Sequence, residues 1–398
     1  MKPRVCFVVD SGTDVRLADG LAEGTTLRIL ARTQPSGREI SQPSRHALNV
    51  ETGPAGHAAF ALFVLRRLLA LRRDTDFVLV QGYGPTAAFA NLAGRLTRMP
   101  VLMLVCSPIE AYYRCRKHAG SGRPFSRIEY LAIQTFSRVN AWIGRGYIVL
   151  SPYLASVVRA HGAKNSIDVI PVYGVDREIF RPGTETKDAV RSRLGIPGGA
   201  PLVFFSSRVA PEKDAATVLR ALGMLAAAGR PVRLLHLSGG HRELMDLARE
   251  IGVEEQVIAA DAVAPFDGLA DHYRASDICV QSSREEGLGF SALEALACGV
   301  PVVATAVGGL NDTIRDGDTG WQVPIGDPNA LAKAIAAILD DPAEASRRTA
   351  RGAAQVATLY DRERVFSALV KRLRIATSGV EVELIDRPSE PSVRTGNT

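Results

Sequence analysis

The sequence predicts an α/β protein made of two Rossmann-like, doubly wound parallel-sheet domains, and three observations predict it. Short apolar runs alternate with helical patterns, the alternation starts afresh near residue 200, and 398 residues exceed what a single core usually organises. In the first series the strand candidates are 4–10, 27–31, 77–81, 101–106, 147–150 and 167–172, the first running into Ser-Gly-Thr-Asp and a helix. The second series offers 202–206, 233–237, 257–259, 278–281 and 302–305. These divide the chain into a first domain, 1–172, a second domain, 173–359, a closing helical segment, 360–376, and a polar tail, 377–398, expected to be disordered.

Composition narrows the class. An apolar fraction of 46% is ample for two cores. The five cysteines, Cys6, Cys106, Cys115, Cys279 and Cys298, have no metal or redox spacing and read as small core residues in a reducing compartment. No signal peptide precedes the first strand, and the longest apolar run, 58–71, is broken by Arg66 and Arg67. A cytoplasmic protein is expected. Formal charge is +11 up to residue 172 and −5 beyond it, so the first domain is expected to meet something anionic. Segment 56–73 sets Phe60, Phe63, Val64, Leu68 and Leu71 among Arg66, Arg67, Arg72 and Arg73. It reads either as a basic amphipathic helix on an anionic membrane surface, a peripheral place on its inner face, or as a core helix with a solvated arginine face. Nucleic acid is not expected as a partner, because the basic residues are not interleaved with exposed aromatic ones and no reader motif is present.

The most informative stretch is 286–294, Glu-Gly-Leu-Gly-Phe-Ser-Ala-Leu-Glu. A glycine turn opens a helix there, so Glu286 in the loop and Glu294 inside the helix can face one ligand lying over the helix start. The amides of Gly289, Phe290 and Ser291 are then unpaired donors at a positive helix end, suited to a phosphate or sugar oxygen. Downstream lie Gly-Val-Pro-Val-Val-Ala-Thr at 299–305, Val-Gly-Gly-Leu-Asn-Asp-Thr-Ile at 307–314 and Asp-Gly-Asp-Thr-Gly-Trp at 316–321. Upstream, Ser-Ser-Arg-Val-Ala-Pro-Glu-Lys-Asp at 206–214 follows an apolar strand.

Together these motifs resemble the family 4 retaining glycosyltransferases of the GT-B fold, the glycosyl transferases of group 1, closely over 170–339 and more loosely before it. The resemblance implies two domains facing a central cleft, acceptor on the first and nucleotide sugar on the second, with the closing segment crossing back to the first domain. It implies that Arg208 and Lys213 grip the donor diphosphate. Physical chemistry agrees, since one lies at a strand end and the other at the next helix start, and cations must meet the charge left on the diphosphate when no metal does. By the same comparison Glu286 contacts the transferred sugar, Gly287, Leu288, Gly289, Phe290 and Ser291 contact sugar and phosphate, and Glu294 accepts from the ribose hydroxyls. Ser11 and Gly12 stand where relatives carry a Gly-Gly pair on the donor side. The histidine that many relatives place after the fourth main strand is missing. Cys106 is followed there by Ser107, Glu110, Tyr112 and Tyr113, which are expected on the acceptor side, with the Arg-, Lys-, Gly- and Tyr-rich segment up to Arg127 as an acceptor loop.

Rival signals are weaker. The Gly82-Tyr-Gly84-Pro-Thr-Ala87 run follows a strand like a dinucleotide fingerprint, but the next strand ends without the acid that would hold a ribose. The Asp74/Asp76 and Asp316/Asp318 pairs sit before a strand and in a turn, not at a strand end where a metal diphosphate is held. His161, His236 and His241 have no ligand spacing. The expected function is a retaining transfer of a hexose-type sugar from a nucleotide donor to a sugar, lipid-linked or small-molecule acceptor hydroxyl, in envelope glycolipid, polysaccharide or glycoside synthesis, with neither cofactor nor metal. The alternatives are a nucleotide-sugar epimerase of the same fold and a non-catalytic nucleotide-sugar-binding partner subunit.

Overall fold

The computed structural model describes residues 2–34, 40, 43–115, 126–237 and 240–378. The expected acceptor loop therefore lies largely outside the described residues, as does the tail from 379 on.

Apolar runs pair in parallel throughout. The first sheet comprises β1 (Arg4–Val9), β2 (Thr26–Arg32), β3 (Asn49–Gly53), β4 (Phe77–Gln81), β5 (Val101–Val105), β6 (Gly146–Val149) and β7 (Ser166–Val169), in the order β3-β2-β1-β4-β5-β6-β7. The second comprises β8 (Leu202–Phe205), β9 (Arg233–Leu237), β10 (Val257–Ala260), β11 (Ile278–Gln281), β12 (Val302–Thr305) and β13 (Trp321–Val323), in the order β10-β9-β8-β11-β12-β13. The central strands are buried on both faces, as a parallel sheet between helix layers requires. In each sheet the strand order reverses beside the first strand, at β1/β4 and at β8/β11. The crevice beyond the carboxyl ends at such a reversal is where open α/β sheets bind ligands.

Two strands escape the sequence reading. Edge strand β3 is mostly polar and exposed, and β13 has only three residues. The basic helix also resolves. It spans His57–Ala70, continues as a short 3₁₀ turn, and buries Phe60, Ala61, Val64 and Leu68, while Arg67 is paired with Glu51 at 2.6 Å. The stripe of Phe60, Val64 and Leu68 is thus committed to its own domain and does not itself face a membrane, while Leu62 on the opposite side is exposed. No helix among the described residues is long and apolar enough to cross one.

The last helix, Arg362–Ser378, packs on the first domain. Arg362 binds Glu23 at 2.7 Å and Arg372 binds Asp168 at 2.5 Å. The ring of Phe366 lies so close to Gly20 that a methyl group there would come within 2.0 Å of it. Where the chain leaves and re-enters the first domain the two crossings lie side by side. The Val175 amide donates to the Tyr360 carbonyl at 2.7 Å, and the Arg362 amide to the Val175 carbonyl at 3.0 Å.

Candidate active site

The loop after β11 carries the first acid. Glu286 is buried, and its Oε2 accepts from the Lys213 ammonium at 2.5 Å and from the Ser283 hydroxyl at 3.2 Å, while the Gly287 amide reaches Oε1 at 3.1 Å. Burial alone would raise its pKa, but Lys213 and these hydrogen bonds outweigh burial and hold the carboxyl below the usual glutamate range. Lys213 comes from the turn between β8 and the helix Ala215–Ala227. The pair therefore ties two neighbouring strand ends together.

Small residues let the backbone close around this pair. A methyl group on Gly309 would lie 2.2 Å from the Gly287 carbonyl oxygen, and one on Gly308 would lie 2.3 Å from that of Glu286. The Ser151 hydroxyl donates to the Gly287 carbonyl at 2.6 Å, and a methyl on Gly287 would meet the Cys106 carbonyl at 2.6 Å. Residue 287 thus touches the end of β5 across the domain boundary, so only glycine fits. The helix Phe290–Ala297 then starts from Gly289, at φ 87°, with no side chain capping its first amides.

Glu294, one turn into that helix, is also buried, and both its oxygens are engaged. Oε1 accepts from Arg16 of the first domain at 2.5 Å, and Oε2 from the Tyr273 hydroxyl at 2.8 Å. Burial outweighs these partners here and raises the Glu294 pKa, the reverse of Glu286. Arg16 is itself held by Asp14, at 2.6 Å and 2.9 Å, and lies 4.4 Å from the centre of the Phe290 ring. Sequence reading found Glu294 but neither partner. Arg16 is 278 positions away, and nothing in its surroundings in the chain marks it.

On the first domain's side, a cavity of about 770 Å³ opens at the C-terminal edge of the sheet. Ser11, Gly12, Ser107, Tyr112 and Tyr113 line it together with Arg208 of the second domain, so the expected donor and acceptor residues meet around one space. Gly12 has φ 81°, which explains why a glycine is kept where Ser11 replaces its neighbour. Arg208 reaches Glu212 at 2.5 Å but keeps its side chain 61% exposed, so it remains available to a ligand.

Glu110 does not join this cavity. Its Oε1 pairs with His161 Nε2 at 2.9 Å beside a smaller cavity of about 270 Å³, because its turn of the helix Ile109–Cys115 faces the helix Pro152–Ala160. The cavity instead holds a histidine that sequence reading missed. His57, at the start of its helix, contacts Asp10 Oδ1 through Nδ1 at 2.9 Å, and Asp10 is fixed by Arg32 at 2.5 Å and Thr86 at 2.6 Å. The ring is positioned by a buried carboxylate and its side chain is largely open.

The rival signals have other uses. Asp76 binds Arg4 at 2.7 Å, Asp318 binds Arg315 and Arg351 at 2.8 Å and 3.1 Å, and Asp316 accepts from the Gln322 amide at 3.1 Å. No group of three or more His, Cys, Asp or Glu able to hold a metal occurs among the described residues. His236 is buried with Nε2 3.0 Å from the Ser207 carbonyl. The Gly82–Gly84 turn leads into the helix Pro85–Thr97 and forms part of the cavity wall.

This geometry converges with comparison to known proteins. Residues 186–356 match the family model described as Glycosyl transferases group 1. A D-inositol 3-phosphate glycosyltransferase of Catenulispora acidiphila is 38% identical over 217 residues, 52% of this chain and 51% of that protein. Another from Rhodococcus opacus is 35% identical over 250 residues, 60% and 54% of the two chains. The chain thus spans about half the length of the curated relatives it matches. Among solved structures, the sucrose-phosphate synthase of Thermosynechococcus elongatus superposes with a TM-score of 0.75 at 22% identity, covering 95% of this chain and all of that one. Anabaena HepE in complex with UDP-glucose gives 0.73 at 17% identity, with 95% and 100% covered. The fold is GT-B. The matched group 1 segment contains Arg208, Lys213, Glu286 and Glu294.

Proposed function

We propose that the protein is a retaining, metal-independent glycosyltransferase that moves a hexose-type sugar from a nucleoside diphosphate sugar to an acceptor hydroxyl, in envelope glycolipid, polysaccharide or glycoside synthesis. The observation that carries this reading is that the group 1 segment brings Lys213 against Glu286, leaves the start of the nearby helix Phe290–Ala297 uncapped, and sends Arg208 into the cavity of the first domain. Breaking the bond between sugar C1 and the phosphate oxygen sends an electron pair to the diphosphate. Arg208, Lys213 and the helix amides meet that charge, which is where fixed dipoles lower a barrier most. Glu286 receives hydroxyls of the transferred sugar, and Glu294 exchanges the Arg16 contact for the ribose hydroxyls. The new bond from the acceptor oxygen to C1 forms on the face the diphosphate leaves, and the acceptor proton passes to the departing phosphate oxygen. Asp10 orients His57 to hold the acceptor hydroxyl, supplying from another segment the histidine that the chain after β5 lacks. UDP-glucose is the first donor to try, given its place in the Anabaena neighbour.

The test is a thermal-shift and hydrolysis screen of nucleotide sugars in the presence of excess chelator. One donor is expected to stabilise the protein by about 2.7 kcal/mol at a hundred times its dissociation constant, and to be hydrolysed slowly with chelator present. Activity lost to chelator and restored by magnesium or manganese overturns metal independence. Inversion at C1 in the transfer product overturns retention, and no stabilisation by any nucleotide sugar overturns the reading itself.

A further inference from the structure

The first domain carries an apolar surface that packing among the described residues does not explain. Helices His57–Ala70, Pro85–Thr97 and Arg127–Ile143 lie side by side in that order. On the third helix, Ile128, Leu131, Val139 and Trp142 recur at helical spacing on the outward side, with Ile128 81%, Leu131 60% and Trp142 78% exposed. Its inward side supplies Ile133 and Phe136 to the large cavity, so this one helix is apolar on both faces. Leu92 and Leu96 continue the outward ridge on the second helix, and Leu62 on the first. These are seven of the thirteen exposed large apolar side chains among the described residues, gathered on one side of one domain. A monomer rarely leaves such a patch uncovered without a use for it.

Charge says what covers it. The ridge is interspersed with exposed arginines, Arg66 on the first helix, Arg95 and Arg98 at the end of the second, and Arg127 and Arg138 on the third. Over these helices and their flanks, 57–73, 85–98 and 126–145, there is one acid, Glu129, and it accepts from the Tyr113 hydroxyl at the cavity wall. A second protein chain would need a matching acidic and apolar partner face. A bilayer with anionic headgroups offers both at once, acyl chains for the leucines and tryptophan and phosphates for the guanidinium groups.

We infer that this three-helix ridge docks on an anionic bilayer, with Ile128, Leu131 and Trp142 inserted and the arginines at headgroup level. The surface is not the stripe of helix His57–Ala70, whose apolar side is buried, and the inference stands whether or not the transferase reading does. Ala132 and Ile109 line the large cavity at this same edge, so a docked molecule presents the cavity mouth to the headgroup layer. Any acceptor that carries a lipid anchor then enters without leaving the membrane.

The full chain is sedimented with phosphatidylcholine vesicles made with and without phosphatidylglycerol, and tryptophan emission is followed. Wild type is expected to sediment with the phosphatidylglycerol vesicles at low salt and to shift its emission to the blue. Trp142→Phe should keep the binding and lose the shift, since the other tryptophan, Trp321, is buried under Arg348. Ile128→Ser and Leu131→Ser should each weaken partitioning on the order of tenfold. Arg127→Gln and Arg138→Gln should each weaken it about fivefold, on anionic vesicles alone. All these side chains are at the surface, so unchanged melting temperatures show that the variants remain folded. Failure of wild type to sediment, wild-type sedimentation by Ile128→Ser/Leu131→Ser, or a dimer in sedimentation equilibrium that this double variant dissolves, overturns the inference.

Discussion

On the proposed reading Lys213 has two tasks, partner to a buried acid and cation for the diphosphate, and a pair of substitutions separates them. In Lys213→Met the Glu286 carboxylate loses its counter-ion but keeps the Ser283 and Gly287 hydrogen bonds at 3.2 Å and 3.1 Å. Stripping one partner from a buried pair costs about 3–5 kcal/mol, and the surviving hydrogen bonds argue for about 3. At roughly 2–4 °C per kcal/mol for a domain of this size, the melting midpoint falls by about 6–12 °C. Glu286→Gln leaves an ammonium that is 14% exposed and can recruit water, so its cost is smaller, about 1–2 kcal/mol. The double variant no longer holds an unpaired charge. It should be more stable than the sum of the single variants predicts by about 2 kcal/mol. Turnover follows a different pattern, because both variants lacking Lys213 lose about a hundredfold or more whatever their stability. Acid should erase the stability difference. The folded-state pKa of Glu286 lies below its unfolded value, so the unfolded chain binds more protons between the two. The pair's contribution is present above about pH 4.3 and is lost as pH falls through the depressed value. Scanning calorimetry across pH, alongside donor hydrolysis, measures all of this. A Lys213→Met protein that melts like wild type at neutral pH, or singles that add without coupling, would refute the reasoning.

Three further outcomes are expected. Arg208→Ala should lower turnover about a hundredfold or more and also cost about 1–3 kcal/mol of stability, since it leaves the buried Glu212 carboxylate without its partner although the arginine itself is largely exposed; kinetics and a melting curve decide. Nucleotide affinity measured by calorimetry should fall on acidification at a higher pH than an ordinary glutamate would give, because the Glu294 pKa is raised and ribose needs the ionised form; Glu294→Gln should be weaker and flat across the same range. His57→Ala should reduce transfer to acceptor about a hundredfold while leaving donor hydrolysis near wild type, and loss of both would remove His57 from the acceptor side.

How much of this was legible in the chain depends on how local each feature is. Central strands announce themselves because a parallel sheet covered on both faces needs continuous apolar runs such as Phe77–Gln81 and Ile278–Gln281. Asn49–Gly53 was silent because an edge strand with solvent on one side needs no such run. The Glu286 loop and the Arg208/Lys213 turn were legible because their glycines, prolines and charges lie within a few positions of one another. Arg16 and His57 were not, because each owes its place to a carboxylate brought up by the fold, Glu294 in one case and Asp10 in the other. A signal for His57 did exist. Asp10 ends an apolar strand as a lone acid at a ligand-binding edge, and a buried acid there needs partners. Glu110 was misplaced because residue spacing cannot say which side of a short helix meets a neighbouring one.

The bridge formed by Val175, Tyr360 and Arg362 has mechanical consequences. The second domain is an insert whose two covalent tethers lie side by side, so a turn of it against the first domain would pivot there and would have to break the Ser151–Gly287 and Arg16–Glu294 contacts. Such a turn would carry the Glu286 loop and the Phe290 helix along an arc toward or away from β1 and β5. Arg16 and Glu294 then form a latch at the far end of the lever. On the proposed reading, a nucleotide whose ribose displaced Arg16 would release that latch and fill the gap it leaves, and donor arrival and the swing of the domain would become one event.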